Sequence, residues 1–294
     1  MAIRGVVCTA TASREYKDRL FSFIFGNPGN EAWTLSLYNA VCGTSYADAS
    51  AVEINTIREA IYLGMHNDVS SLIANQVSVY EQQSTYNPNM PLRMLQYAGN
   101  LYERYVVRRK LNKYGSRLLR LPAPRLVVFY NGIGDRPDEL ILRLSDSFPE
   151  GAASDIEVRV LMVNVNEGRS PELLGACAPL REYSWLVARV REAAAAGADV
   201  GKAVDRAVTA MPRDFEIKGF LEEHRAEVVG MLLTEYDEAQ AMELFREEGR
   251  EEGREEGILE TLAALVRDHV LTARQAAERA RLDEAEFVSR AGLA

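Results

Sequence analysis

Gln76-Val77-Ser78-Val79-Tyr80-Glu81-Gln82-Gln83 is the stretch whose reading decides the fold of this chain. The octet is rich in β-branched and aromatic residues, which predicts a strand, and successive strand side chains point to opposite faces. Glu81 and Gln83 therefore share a face. Upstream, His66 to Ile73 is also strand-like, and the short Ala74-Asn75 break lets the two runs pair as a hairpin with Asp68 near Glu81. Two carboxylates and an amide then converge on one point, as a hard divalent cation with oxygen ligands requires. Spacing alone leaves a second reading open, in which Asp68 and Glu81 are strand-end carboxylates facing solvent.

Before this hairpin, Tyr16, Leu20, Phe23 and Ile24 fall at helical spacing between Ser13 and Phe25, and Gly26-Asn27-Pro28-Gly29 stops that helix. A second helix covers residues 31–42 and ends at Gly43. Residues 52–57 and 61–65 read as strands. After the hairpin, Asn87-Pro88-Asn89-Met90-Pro91 is a turn, and turn formation accounts for the two asparagines without catalysis. A long helix follows, with Leu95, Ala98, Leu101, Tyr102, Tyr105 and Val106 as its expected apolar stripe and Arg93, Arg104 and Arg108 elsewhere on its surface. Residues 125–130 form a continuous apolar strand of the buried type. Strands near 140–144 and 157–164 extend the sheet, and every segment from about Pro171 onward reads as helix. The expectation is an α/β chain: a mixed sheet flanked by helices in residues 1–168, then an all-helical C-terminal region in residues 169–294.

The chain has 294 residues, 47% hydrophobic and 26% charged, the composition of a globular protein with a sizeable core. No run approaches the length of a transmembrane span and no secretory signal is visible, so a cytoplasmic protein without a membrane partner is expected. Cys8, Cys42 and Cys177 are odd in number and widely spaced, and His66, His224 and His269 are as scattered. Neither set has disulfide or zinc-site spacing.

The formal net charge of -9 hides a strong asymmetry. Between Arg93 and Arg125 stand nine basic residues (Arg93, Arg104, Arg108, Arg109, Lys110, Lys113, Arg117, Arg120, Arg125) against one acid, Glu103. Between Arg213 and Glu260, six basic residues face sixteen acidic ones. A basic segment directly after a carboxylate pair points to phosphate contact, with Arg93, Arg104, Arg108, Arg109 and Lys110 as the DNA-binding candidates. The alternative is a solvated face.

Arg246-Glu247-Glu248-Gly249 repeats at 250–253 and 254–257. On a helix this period places Gly249, Gly253 and Gly257 in a slowly drifting column. Each glycine costs roughly 1 kcal/mol of helix stability relative to alanine. Two readings stand: a solvated, frayed helical linker, or a close helix–helix contact that builds a homodimer. The last segment, 259–294, reads as a small helical unit with helices starting near Thr272 and Asp283.

Taken together, the carboxylate pair, its hairpin and the strand-helix-strand order resemble the PD-(D/E)xK nuclease superfamily. The closer likeness is to the Rpn group of recombination-promoting, transposase-like nucleases. It is carried by Lys17-Asp18-Arg19-Leu20-Phe21, Ile24-Phe25-Gly26-Asn27, Glu53-Ile54-Asn55-Thr56, Gly64 to Ser70, Tyr80 to Pro91 and Phe129-Tyr130-Asn131-Gly132, and by the glycine–glutamate repeat. The resemblance covers about the first 165 residues. It implies a restriction-endonuclease-like fold and Mg2+-dependent (or Mn2+-dependent) DNA cleavage, with Asp68 and Glu81 as metal ligands. Gln83 falls where the superfamily usually has lysine, and glutamine offers neutral hydrogen bonds in place of a positive charge. A metal can lower the pKa of its own water with no side-chain base. Asp18 is the candidate further acid from the first helix, with Glu53 and Glu15 behind it. The competing expectation is a non-catalytic module of the same fold that binds DNA or a protein through its helical tail; a strand-joining transposase is a third.

Overall fold

β3 (Gln76–Gln83) and β4 (Ala123–Tyr130) lie at the centre of a six-stranded mixed sheet. The computed structural model describes residues 20–56, 68–73 and 76–293. Glu15, Asp18, the strand expected at 61–65 and the Ala74-Asn75 break lie outside the described residues. The strand order is β1-β2-β3-β4-β6-β5, with β1 at Glu53–Thr56, β2 at Asp68–Ile73, β5 at Glu139–Arg143 and β6 at Arg159–Asn164. β2 is antiparallel to both β1 and β3, β4 is parallel to β3 and β6, and β5 is antiparallel to β6. Parallel neighbours need a crossover, and α3 (Met90–Arg108) supplies it between β3 and β4.

Alternation along the strands sends their apolar residues into two cores. On one face Val79, Val128, Tyr130, Val160 and Met162 pack under α3. On the other, Tyr80, Val127, Phe129 and Val163 meet α1 (Leu20–Phe25), α2 (Glu31–Cys42), α4 (Pro171–Ala176), α5 (Ala178–Ala195), α6 (Val200–Ala210) and α7 (Lys218–Glu223). Phe21 stacks there on Phe129 at 5.2 Å between centroids and meets the Tyr183 ring edge-on.

The stripe that α3 buries differs from the expected one. Met90, Met94 and Tyr97 are buried, with Leu101 packed beside them, whereas Leu95, Ala98, Tyr102 and Tyr105 are only half-buried. Apolar residues occupy two adjacent sides of this helix, so periodicity defines a broad stripe but not its centre. The sheet selects the side that begins at Met90, directly after the turn from β3. That choice puts Arg93 at the margin of the core.

The chain divides into two compact units, Met1–Tyr236 and Asp237–Ala294. The first extends well past residue 169, where the sequence led us to expect a boundary, because Leu174, Leu180, Val204 and Leu221 join the same core as Phe129. Among the described residues, every element after β6 is helical. α8 (Arg225–Arg267) carries the repeat, and a Cβ added at Gly253 or Gly257 would meet nothing within 4 Å. In the second unit Leu262, Ala276, Ala277 and Phe287 form a small core with α9 (Ala273–Ala280) and α10 (Glu284–Arg290). Thr272 and Gln275 form a capping box and Asp283 caps α10, which fixes both helix starts. Among the described residues no helix is long and apolar enough to cross a membrane.

Glu182 of α5 is a carboxylate buried in the first unit, where it accepts the Ile217 N–H at 3.0 Å. Burial raises its pKa above the ordinary carboxylate value. Hydrogen bonds from the Ile217 and Glu216 backbone and the charge of Arg181 oppose this rise, and the charge of Glu216 adds to it. A carboxyl with a raised folded pKa binds more protons folded than unfolded, so its contribution falls as pH climbs from the unfolded pKa through the folded one. Glu182→Gln is therefore expected to gain melting temperature relative to wild type as pH rises through that window. A difference that stays flat from acid to neutral pH would refute the assignment.

Candidate metal centre

The β2–β3 ladder sets Asp68 directly opposite Glu81, in a register that runs to Ile73 opposite Gln76. Residues so opposed in an antiparallel pair share a face, with Cβ atoms roughly 4.5–5.5 Å apart. Glu81 is 3% exposed, and a buried carboxylate is costly unless it is hydrogen-bonded. Two donors converge on its Oε1: Gln83 Nε2 at 3.0 Å from its own strand, and Arg93 Nη2 at 2.7 Å from the first turn of α3. Gln83 Nε2 also lies 2.8 Å from Met90 Sδ.

Helical spacing aligns Met90, Arg93 and Tyr97, one turn apart and then another, along the face that meets β3. Arg93 Nη2 donates to Tyr97 Oη at 2.8 Å, its guanidinium carbon lies 5.8 Å from the Tyr97 ring centroid, and Nη1 lies 3.5 Å from Met90 Sδ. With its side chain 34% exposed, Arg93 reaches from the solvent margin to a buried carboxylate. A charge-assisted hydrogen bond of this kind contributes roughly 1–3 kcal/mol. Arg93→Gln is expected to lower unfolding stability by about that much in EDTA, and to cost much less in a Glu81→Gln background. Equal costs in the two backgrounds would show that Arg93 acts through other contacts.

The opposite face of β3 is braced by amides. Gln82 Nε2 donates to Asn131 Oδ1 at 2.6 Å, Asn131 Nδ2 to Tyr183 Oη at 2.9 Å, and the Asn131 N–H to Gln83 O at 3.0 Å. The ends of β3 and β4 are thereby tied to each other and to α5. The strands β3, β4 and β6 end side by side, at Gln83, Tyr130 and Asn164. Beyond those ends, Asn166 Nδ2 donates to Gly132 O and Asn164 Nδ2 to Arg136 O, each at 2.9 Å.

The register thus sets Asp68 opposite Glu81, Gln83 donates to Glu81, and Asp18 lies outside the described residues. Arg93, expected on phosphate, is held on Glu81. Arg104, Arg108, Arg109 and Lys110 lie toward the other end of α3; Arg108 is about 22 Å from Arg93 along the axis at ~1.5 Å per residue. There Arg108, Arg109 and Lys110 are exposed, with the Arg109 guanidinium 5.8 Å from the Tyr105 ring centroid. The five DNA-binding candidates are therefore spread along α3 and past its end, with Arg93 apart from the rest. A feature that the sequence did not disclose is Arg136, whose guanidinium carbon lies 4.0 Å from the Tyr86 ring centroid. Asp135-Arg136-Pro137-Asp138 reads only as a turn, with nothing in its spacing to pair it with Tyr86.

Among the described residues no group of three or more His, Cys, Asp and Glu side chains could hold a metal ion. No family model, curated protein or solved structure matches the chain.

Proposed function

We propose that the protein is a Mg2+-dependent (or Mn2+-dependent) DNA endonuclease with a restriction-endonuclease-like core, hydrolysing phosphodiester bonds in the service of recombination. The observation that carries the reading is Asp68 opposite a buried Glu81 on whose Oε1 an amide and a guanidinium converge. Hydrogen-bond donors on a buried carboxylate occupy the place that a cation takes. Asp68 and Glu81 would hold the ion, which when bound supplies Lewis-acid activation of a phosphoryl oxygen and of water.

The chain's own residues do the rest. Gln83 orients the Glu81 carboxylate and presents an amide to the water or the phosphate. Arg93 neutralises Glu81, and once that charge is shared with a metal its guanidinium is a nearby fixed cation for a phosphate oxygen. Arg104, Arg108, Arg109 and Lys110 would hold the DNA backbone at the far end of α3. Self-association through the glycine column of α8 belongs to the same proposal, because a second helix would give the open faces of Gly253 and Gly257 a role.

The second reading is a nuclease-fold module that binds without cutting, favoured by the single fact that Arg93 already pairs with Glu81 Oε1. Supercoiled plasmid incubated with the purified protein and Mg2+ separates the two. Nicking by wild type and not by Asp68→Ala supports the nuclease. Retention of uncut plasmid selects the binding module, and equal nicking by both proteins rejects the site.

A further inference from the structure

Arg136 lies just past the end of β4, in the loop that leads to β5, where the parallel strands β3, β4 and β6 all terminate. In open α/β sheets the carboxyl ends of parallel strands are where ligands bind. The guanidinium lies over Tyr86, in the turn between Gln83 and Met90, and Tyr86 packs against the same core face as Tyr130 and Met90. Tyr86 follows Gln83 by three positions, so their Cα atoms stand within about 11 Å.

Stacking fixes the plane of a guanidinium without using its N–H groups. Arg136 Nε is buried and has no hydrogen-bond partner among the described residues. Asp135 and Asp138 are engaged by Arg169, at 2.7 and 3.6 Å, and among the described residues neither forms an ion pair with Arg136. The loop itself is fixed: Asn164 Nδ2 holds the Arg136 carbonyl, and Tyr130 Oη donates to Gly134 O at 3.1 Å. The guanidinium of a half-exposed arginine thus lies against the Tyr86 ring, its backbone is held in place, and its buried Nε has no acceptor among the described residues.

We propose that Arg136, oriented by Tyr86, binds a phosphate group of the nucleic acid on the side of the site away from Asp68. The inference rests on the nuclease reading for the identity of the ligand, a phosphodiester, but not on the ability to cut. The flat guanidinium offers two parallel N–H groups to one phosphate, which an ammonium cannot do.

The test is the Kd of the full-length protein for a short fluorescein-labelled DNA duplex in EDTA, where no metal or cleavage intervenes. Arg136→Gln is expected to weaken binding about tenfold or more. Arg136→Lys should recover only part of the loss. Arg143→Gln removes the same charge at the far end of β5 and should stay within about a factor of two of wild type. A Mg2+ titration followed by melting temperature should read the same in Arg136→Gln as in wild type, since Arg136 holds no metal. Wild-type affinity in Arg136→Gln, an equal loss in Arg143→Gln, or no binding by wild type overturns the assignment. If wild type binds but does not nick plasmid, the nuclease reading falls while the ranking of the variants still decides Arg136.

Discussion

Glu81→Ala is expected to lower Mg2+-dependent plasmid nicking on the order of a thousandfold or more, to the level of the no-enzyme control. The size follows from where the carboxylate sits. Glu81 lies opposite Asp68 in the ladder and is buried, so alanine removes one of the two carboxylates proposed to hold the ion. It also strips the shared acceptor from Gln83 and Arg93, whose hydrogen bonds to Oε1 fix their side chains. Asp68→Ala should lose as much, and the double variant no more than either alone, because groups that act as a unit are not additive. A second readout guards against simple misfolding. Mg2+ should raise the melting temperature of wild type and leave Glu81→Ala unmoved, since a ligand stabilises only the state that binds it. Nicking by Glu81→Ala at the wild-type rate would remove the site from consideration.

Gly132→Ala is expected to cost more than about 3 kcal/mol in urea unfolding, the largest loss of any single methyl addition foreseen here. A Cβ at this position would stand 2.1 Å from the Ser84 carbonyl oxygen, 2.5 Å from Tyr130 Oη and 2.6 Å from Tyr130 Cε2. The first obstacle is backbone and cannot rotate away. Ser84 directly follows Gln83, whose carbonyl accepts the Asn131 N–H, so relief by movement would pull the ends of β3 and β4 apart. Asn166 pins the Gly132 carbonyl from the other side. Whatever fraction of Gly132→Ala remains folded should therefore also bind DNA and metal poorly. Wild-type stability in this variant would show that the strand ends do not approach so closely in solution.

The hairpin, the buried strand at 125–130 and most helix boundaries were legible because each rests on local rules: alternation, β-branched runs, caps, and glycine or proline stops. The pairing of Asp68 with Glu81 followed from the short break between two strands of matched pattern. Less legible was anything settled by a partner distant in sequence. α3 has apolar residues on two neighbouring sides, and only the sheet shows that Met90, Met94 and Tyr97 form the core side. Arg93 was expected to face phosphate for the same reason: its partner, twelve residues earlier on another element, becomes apparent only when the helix is laid against β3. The Arg136–Tyr86 stack joins two irregular loops and leaves no periodic trace. The extent of the first unit escaped too, because composition shifts at the start of the helical region while the hydrophobic core continues across it.

The convergence of Gln83 and Arg93 on one oxygen bears on why an uncharged residue stands at position 83. A lysine there would bring a second full positive charge to an atom that already has one at 2.7 Å. Two like charges about 4 Å apart at the margin of a protein repel by about 4 kcal/mol, which offsets much of what the second would gain from the same carboxylate. An amide keeps the hydrogen bond and avoids that repulsion. Glutamine at 83 and arginine at 93 thus divide one carboxylate oxygen between a neutral and a cationic donor, so that a single positive charge meets a single negative one.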